Sequence, residues 1–160
     1  MVPKILFSAV LSAAMMFAQQ QSSQEHPMTP KSSATALGSE KVMAFVASTD
    51  RSRAQHFYGD TLGLRLLASD QFALVFDANG IMLRVQIVKD VSVAPYTTLG
   101  WQVSDIVATA KKLQSAGVAM MRVNGIPQDE LGIWQADAKT KVAWFKDPDG
   151  HTLSITQFSD

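Results

Sequence analysis

The sequence predicts an α+β domain written twice, as two tandem βαβββ modules. Three observations predict it. Apolar and polar residues alternate with period two through several short runs. Two segments carry apolar residues at helical spacing, each preceded by Asp or Ser and followed by Gly. The order strand, helix, three strands then occurs twice between residues 41 and 158. A four-stranded sheet with one helix covers a single face, so its other face must be covered or line a cavity. The expected architecture is a curved mixed sheet, a half-barrel with helices outside and a concave groove inside. The modules span about 41–94 and 95–158.

Each element has a local reason. "KVMAFVAS" (41–48) is a compact apolar strand. Asp50 is placed to cap a helix over 51–63, where Ala54, Phe57, Tyr58 and Leu62 share one face and Gly63 ends it. "LRLLAS" (64–69) and "QFALVFDA" (71–78) read as strands. Asn79-Gly80 is a tight-hairpin signal leading into "IMLRVQIV" (81–88). In the second module "TLGWQVS" (98–104) is a strand. Ser104 or Asp105 caps a helix over 106–117 with an apolar stripe of Ile106, Ala110, Leu113 and Ala116. "VAMMRV" (118–123) is expected as a strand and "NGIPQDELG" (124–132) as a loop. "KVAWFK" (141–146) and "HTLSITQF" (151–158) are two strands joined by Asp-Pro-Asp-Gly, a turn sequence.

Composition narrows the function. The 160 residues carry 14 Lys+Arg and 14 Asp+Glu, so the net charge is zero and neither nucleic acid nor an anionic membrane is an expected partner. There are no cysteines, which excludes disulfides, thiolate metal sites, a Cys nucleophile and a lipidated N-terminal Cys. Residues 1–18 have the layout of a secretory signal peptide: Lys4, then an apolar run from Ile5 to Ala18. That run falls short of the roughly 20 residues a spanning helix needs. Cleavage after Ala18 and after Ala14 both remain open. Residues 19–40, rich in Gln, Ser, Thr and Pro, read as a flexible linker. The expectation is an exported protein, periplasmic or extracellular, without a stable membrane anchor.

Three stretches carry a resemblance. "TDRSRAQHFYGDTLGL" (49–64), "WQVSDIVATAKKLQSAGV" (101–118) and "WFKDPDGHTLSI" (144–155) occur in the order and spacing of the vicinal oxygen chelate superfamily, the glyoxalase, bleomycin-resistance and extradiol-dioxygenase group. The chain resembles that family over 41–158. The resemblance implies a divalent metal held in the groove by His, Glu or Gln from four strands, since alternate strand residues point inward and imidazole and carboxylate suit such ions. Carried over, the implied ligand positions are Met43, Thr98, Ser154 and Arg84 or a neighbour of Arg84. A thioether, two hydroxyls and a guanidinium do not make a divalent site. No metal and no cofactor are therefore expected, a divalent ion being disfavoured.

The groove set by alternation is Met43, Phe45 and Ala47; Met82, Arg84 and Gln86; Thr98, Gly100 and Gln102; Thr152, Ser154 and Thr156. The opposite set (Val42, Val46, Leu83, Val85, Leu99, Trp101, Val103, Leu153, Ile155) is the helix-facing core. Polar residues thus collect on the groove side, as a ligand site requires. The candidate ligand-binding residues are Met43, Phe45, Arg84, Gln86, Thr98, Gln102, Ser154 and, from the long segment after Gly125, Trp134. Arg84 is the candidate for a carboxylate or phosphate; the bland alternative is an internal salt bridge or a place at a solvated groove mouth. Ser154 stands where metal-binding relatives carry a carboxylate and has no base near it in the pattern. Asp147 and Asp149 are read as turn formers. Three functions stay open: binding of a small molecule, anionic in the Arg84 reading, without a catalytic metal; a metal-dependent lyase, isomerase or dioxygenase; and a structural or partner-binding domain, such as a homodimer, with a vestigial groove.

Overall fold

In the computed structural model the structure describes residues 36–159. The chain divides into two units, Met1–Ser39 and Glu40–Asp160. The expected signal peptide and most of the expected linker lie outside the described residues. No described helix is long and apolar enough to cross a membrane.

The second unit holds every described strand and helix. Its order is β1 (Met43–Ser48), α1 (Arg51–Gln55) running into a π-helical turn (His56–Thr61), β2 (Arg65–Ser69), β3 (Ala73–Ala78) and β4 (Ile81–Ile87). Then follow β5 (Thr97–Gln102), α2 (Ile106–Ser115), β6 (Ile133–Gln135), β7 (Thr140–Lys146) and β8 (Thr152–Phe158). This is βαβββ twice. The strands pair as β1-β4-β3-β2 and β5-β8-β7-β6, with the β1–β4 and β5–β8 pairs parallel and the rest antiparallel. Among the described residues no ladder joins the two sheets. The expected two βαβββ modules thus form two open four-stranded mixed sheets.

The local signals act as chemistry dictates. The Asp50 carboxylate accepts from Arg53 N at 2.9 Å and starts α1; Asp105, rather than Ser104, accepts from Ala108 N at 2.9 Å and starts α2. The first helix widens because Leu62 N bonds back to Phe57 O, five residues away, at 2.9 Å. Asn79 and Gly80 have φ of 56° and 88°, the paired positive values of a tight hairpin turn.

Alternation is confirmed where strands are central. Leu83, Val85, Leu153 and Ile155 are buried in one connected core with Val46, Phe57, Tyr58, Phe76, Ile106 and Phe145. Leu99, Trp101 and Val103 pack against it, whereas Val42, preceding β1, is 71% exposed and leaves the expected core. Ala116 is likewise exposed rather than part of the α2 stripe.

One strand is misplaced by the sequence. Residues 118–123 make only an isolated bridge, Met120 to Phe145, and the third strand of the second module is β6, inside the expected long segment. Side chains explain the exchange. The Gln128 amide accepts from Val123 N (2.7 Å) and donates to Met121 O and Gly132 O, while the Arg122 guanidinium donates to the carbonyls of Asp129 and Glu130. The Gln128 bonds occupy Val123 N and Met121 O, backbone groups that a strand over 118–123 would have offered to a neighbour.

The two modules are clasped by the turn at 147–150. Asp149 accepts from Ser48 Oγ (2.6 Å), Thr49 N (3.0 Å), Thr49 Oγ1 (2.7 Å) and Arg53 Nη2 (3.1 Å), all at the β1–α1 corner of the other module. Asp147 Oδ2 accepts from the buried Tyr58 hydroxyl at 2.7 Å, and Asp147 Oδ1 accepts from the amides of Asp149 and His151. His151 Nε2 lies 3.0 Å from Ala47 O. The two aspartates thus form the turn and also join the modules. Burial, then the Asp147 charge beside it, holds the Tyr58 hydroxyl protonated far above the phenol range.

Burial alone would raise the Asp149 carboxyl. The bonds from Ser48 and Thr49 and the Arg53 charge outweigh that and hold it below the usual carboxylate range. A carboxyl with a lowered folded pKa contributes stability above its unfolded value near ~3.9, and the contribution is lost as pH falls through the folded value. Asp149→Asn should therefore be less stable than the parent at pH 7, with the gap closing below about pH 4. Urea unfolding across pH 2–7 measures this; parallel curves for the two proteins would refute it.

Candidate functional site

The sheet faces turned away from the core carry the candidate site. In the first sheet, strand register sets Met43 beside Met82, Phe45 beside Arg84, Ala47 beside Gln86, and Val75 on the other side of Arg84. Met43 and Phe45 are each about half exposed, at 52% and 51%. Gln86 is exposed and Arg84 is half-buried. The Arg84 side chain makes no ion pair or hydrogen bond among the described residues, so the internal salt bridge is not formed. Its charge does reach Asp70. That carboxyl is held below its usual range first by the Phe72 and Ala73 amides, and to a lesser degree by Arg84 and Arg51.

In the second sheet one row runs Trp144, Ser154, Gly100 across β7, β8 and β5, and the next runs Val142, Thr156, Gln102. Trp134 lies beside Val142 on β6 and its ring stacks on Trp144 at 6.0 Å, with 25° between the planes. Trp134 is thus a strand residue in an aromatic wall, not a loop residue over the pocket. Ser154 is 7% exposed, and a Cβ built on Gly100 would stand 2.6 Å from Ser154 Oγ. The missing side chain at 100 is what leaves room for that hydroxyl. The row therefore falls from a bulky wall to a bare floor.

Thr98 does not take its expected place. A register shift between Thr97 and Leu99 makes Thr97 the partner of Thr152. The Thr98 hydroxyl donates instead to Thr152 O at 3.1 Å, while Thr97 Oγ1 accepts from Trp144 Nε1 at 3.2 Å. Thr97 and Trp144 are the groove residues that sequence reasoning missed. Trp144 had a signal: the Asp-Pro-Asp-Gly turn fixes the hairpin register, and Phe145 next to it is core. Thr97 had none, because a bulge is invisible to alternation.

The residues at the family's ligand positions do not suit a divalent metal. Met43 offers a thioether, Ser154 a buried hydroxyl, Thr98 a hydroxyl already bonded to backbone, and Arg84 a cation. No three His, Asp or Glu side chains among the described residues stand together as a ligand cluster. His56 is exposed beside Asp60, and His151 is buried at the clasp. No chemical step through a metal is drawn from this donor set.

No family model matches the sequence, and no curated protein matches it. Solved structures do match the fold. A glyoxalase/bleomycin resistance protein/dioxygenase from Alicyclobacillus acidocaldarius superposes with TM-score 0.58 at 16% identity, covering 76% of this chain and 93% of that one. A glyoxalase family protein from Enterococcus faecalis gives 0.58 at 17%, covering 73% and 97%. A genomically encoded fosfomycin resistance protein from Listeria monocytogenes gives 0.58 at 13%, covering 74% and 92%. At these identities the likeness establishes the fold.

Gly100→Ala should destabilise the domain by about 1–3 kcal/mol, because the added methyl overlaps Ser154 Oγ. Ser154→Ala in the same chain should recover most of the loss, since Ser154 Cβ would be 3.9 Å away. Thermal unfolding of both single variants and the double variant tests the coupling; additive effects would show that the contact is not the cause.

Proposed function

We propose, from the glyoxalase/bleomycin-resistance/dioxygenase fold of this chain, that it is an exported protein binding a small anionic molecule in its groove without a catalytic metal. Arg84 carries the reading. It is a half-buried guanidinium on the groove face with no partner among the described residues, flanked by Phe45 and Val75. A partly buried guanidinium without a hydrogen-bonded counter-charge leaves its N–H donors unmatched, and a carboxylate or phosphate would take them up through paired N–H bonds. The proposed lining is Met43, Phe45, Arg84 and Gln86 from the first sheet and Gln102, Trp134 and Ser154 from the second, with Thr97 and Trp144 added and Thr98 turned to backbone. Export is proposed from the signal-peptide pattern of residues 1–18 alone.

The absence of a metal is proposed from the donor chemistry of Met43, Thr98, Ser154 and Arg84. Titrating the full chain with Mn, Fe(II), Ni or Zn should leave its melting temperature unchanged. Tight stoichiometric binding at the groove would overturn that half of the proposal. In a screen of small carboxylates and phosphates, the best ligand should bind Arg84→Ala roughly tenfold to a hundredfold more weakly, from the about 1.5–3 kcal/mol of a lost charged hydrogen bond. Equal affinity in the two proteins would remove Arg84 from the site.

A further inference from the structure

A cavity lies between the modules. It holds about 510 Å³, within the range of small-molecule sites, and none of the groove positions lines it. One wall is the π-helical turn with Phe57. The opposite wall is the irregular segment after α2, with Val118, Met120 and Met121; Lys146 stands at the end of β7. Aromatic and thioether side chains give an apolar, adaptable interior.

The charges at this cavity are unequally satisfied. Asp147 also lines it, but that carboxylate is 5% exposed and both its oxygens are occupied, Oδ2 by the Tyr58 hydroxyl and Oδ1 by two backbone amides. His56 at the rim lies 2.9 Å from Asp60. Lys146 is exposed and has no ion pair or hydrogen bond among the described residues. The uncommitted charge is therefore positive, on a flexible stem beside an apolar hollow.

We infer that this inter-module cavity is a binding site for a small amphipathic anion, its apolar body against Phe57, Val118, Met120 and Met121 and its carboxylate on Lys146. The site shares none of the lining residues proposed for the groove, although Lys146 stands beside Thr152 at its edge, and it does not depend on the function proposed there. The geometry of the walls has a common origin. The widened helix and the side-chain-bonded segment after α2 both depart from regular structure, and both line the hollow.

Octanoate tests this on the full chain by isothermal titration calorimetry, with 1-octanol as its uncharged counterpart. One octanoate should bind per chain, more tightly than octanol. Lys146→Glu and Ala119→Trp should each weaken octanoate at least tenfold, the first by reversing the charge and the second by filling the space. Both positions are exposed, and thermal unfolding verifies that each variant folds. Arg84→Ala should leave octanoate binding unchanged. The inference is overturned if octanoate does not bind saturably, if octanol binds as well, if both cavity variants bind like the parent, or if Arg84→Ala abolishes binding.

Discussion

The constraint on which this domain depends is the docking of one short turn on a distant corner of the chain. Two four-stranded sheets share no hydrogen-bonded ladder among the described residues, so backbone pairing does not set their relation. The turn at 147–150 supplies what pairing does not. Its two carboxylates reach residues about a hundred positions away, Ser48, Thr49, Arg53 and Tyr58, and collect hydrogen bonds from hydroxyl, amide and guanidinium donors. Such bonds have direction, whereas the apolar core beneath them has none. The core makes the modules adhere; the clasp fixes how they meet.

The same turn governs the groove. It sets the β7–β8 register, and the register places Trp144 beside Ser154 and Ser154 beside Gly100. A slip of one residue would send Phe145 outward and Trp144 into the core, so groove and core are specified together. The groove that results is unlike a metal centre. Its wall is indole, its floor a serine over a glycine, and its Arg84 half-buried with no side-chain partner among the described residues.

Much of this was legible in the sequence because it rests on local rules. Caps at Asp50 and Asp105, the Asn79-Gly80 turn and the alternation in β4 and β8 are each decided within a few residues. Besides the exposed Val42 and Ala116, the structure departs from the sequence reading where tertiary contacts decide. The strand expected at 118–123 is displaced to 133–135 because Gln128 and Arg122 take up backbone groups of the intervening loop. Thr98 is displaced from the groove by a one-residue register shift in β5. Trp134, placed by sequence only in a long segment, lies on a strand that is three residues long and at a sheet edge.

By itself the sequence determined the element order, the duplication, the core faces of the central strands and the poverty of metal ligands at the implied positions. These follow from periodicity, turn chemistry and side-chain type, which are properties of neighbours along the chain. Only the tertiary structure decided that Asp147 and Asp149 bind the modules together, that Arg84 lacks a partner among the described residues, that Gly100 makes room for Ser154, and that a cavity opens beside Lys146. Each of those facts depends on groups far apart in sequence meeting, or failing to meet, in space.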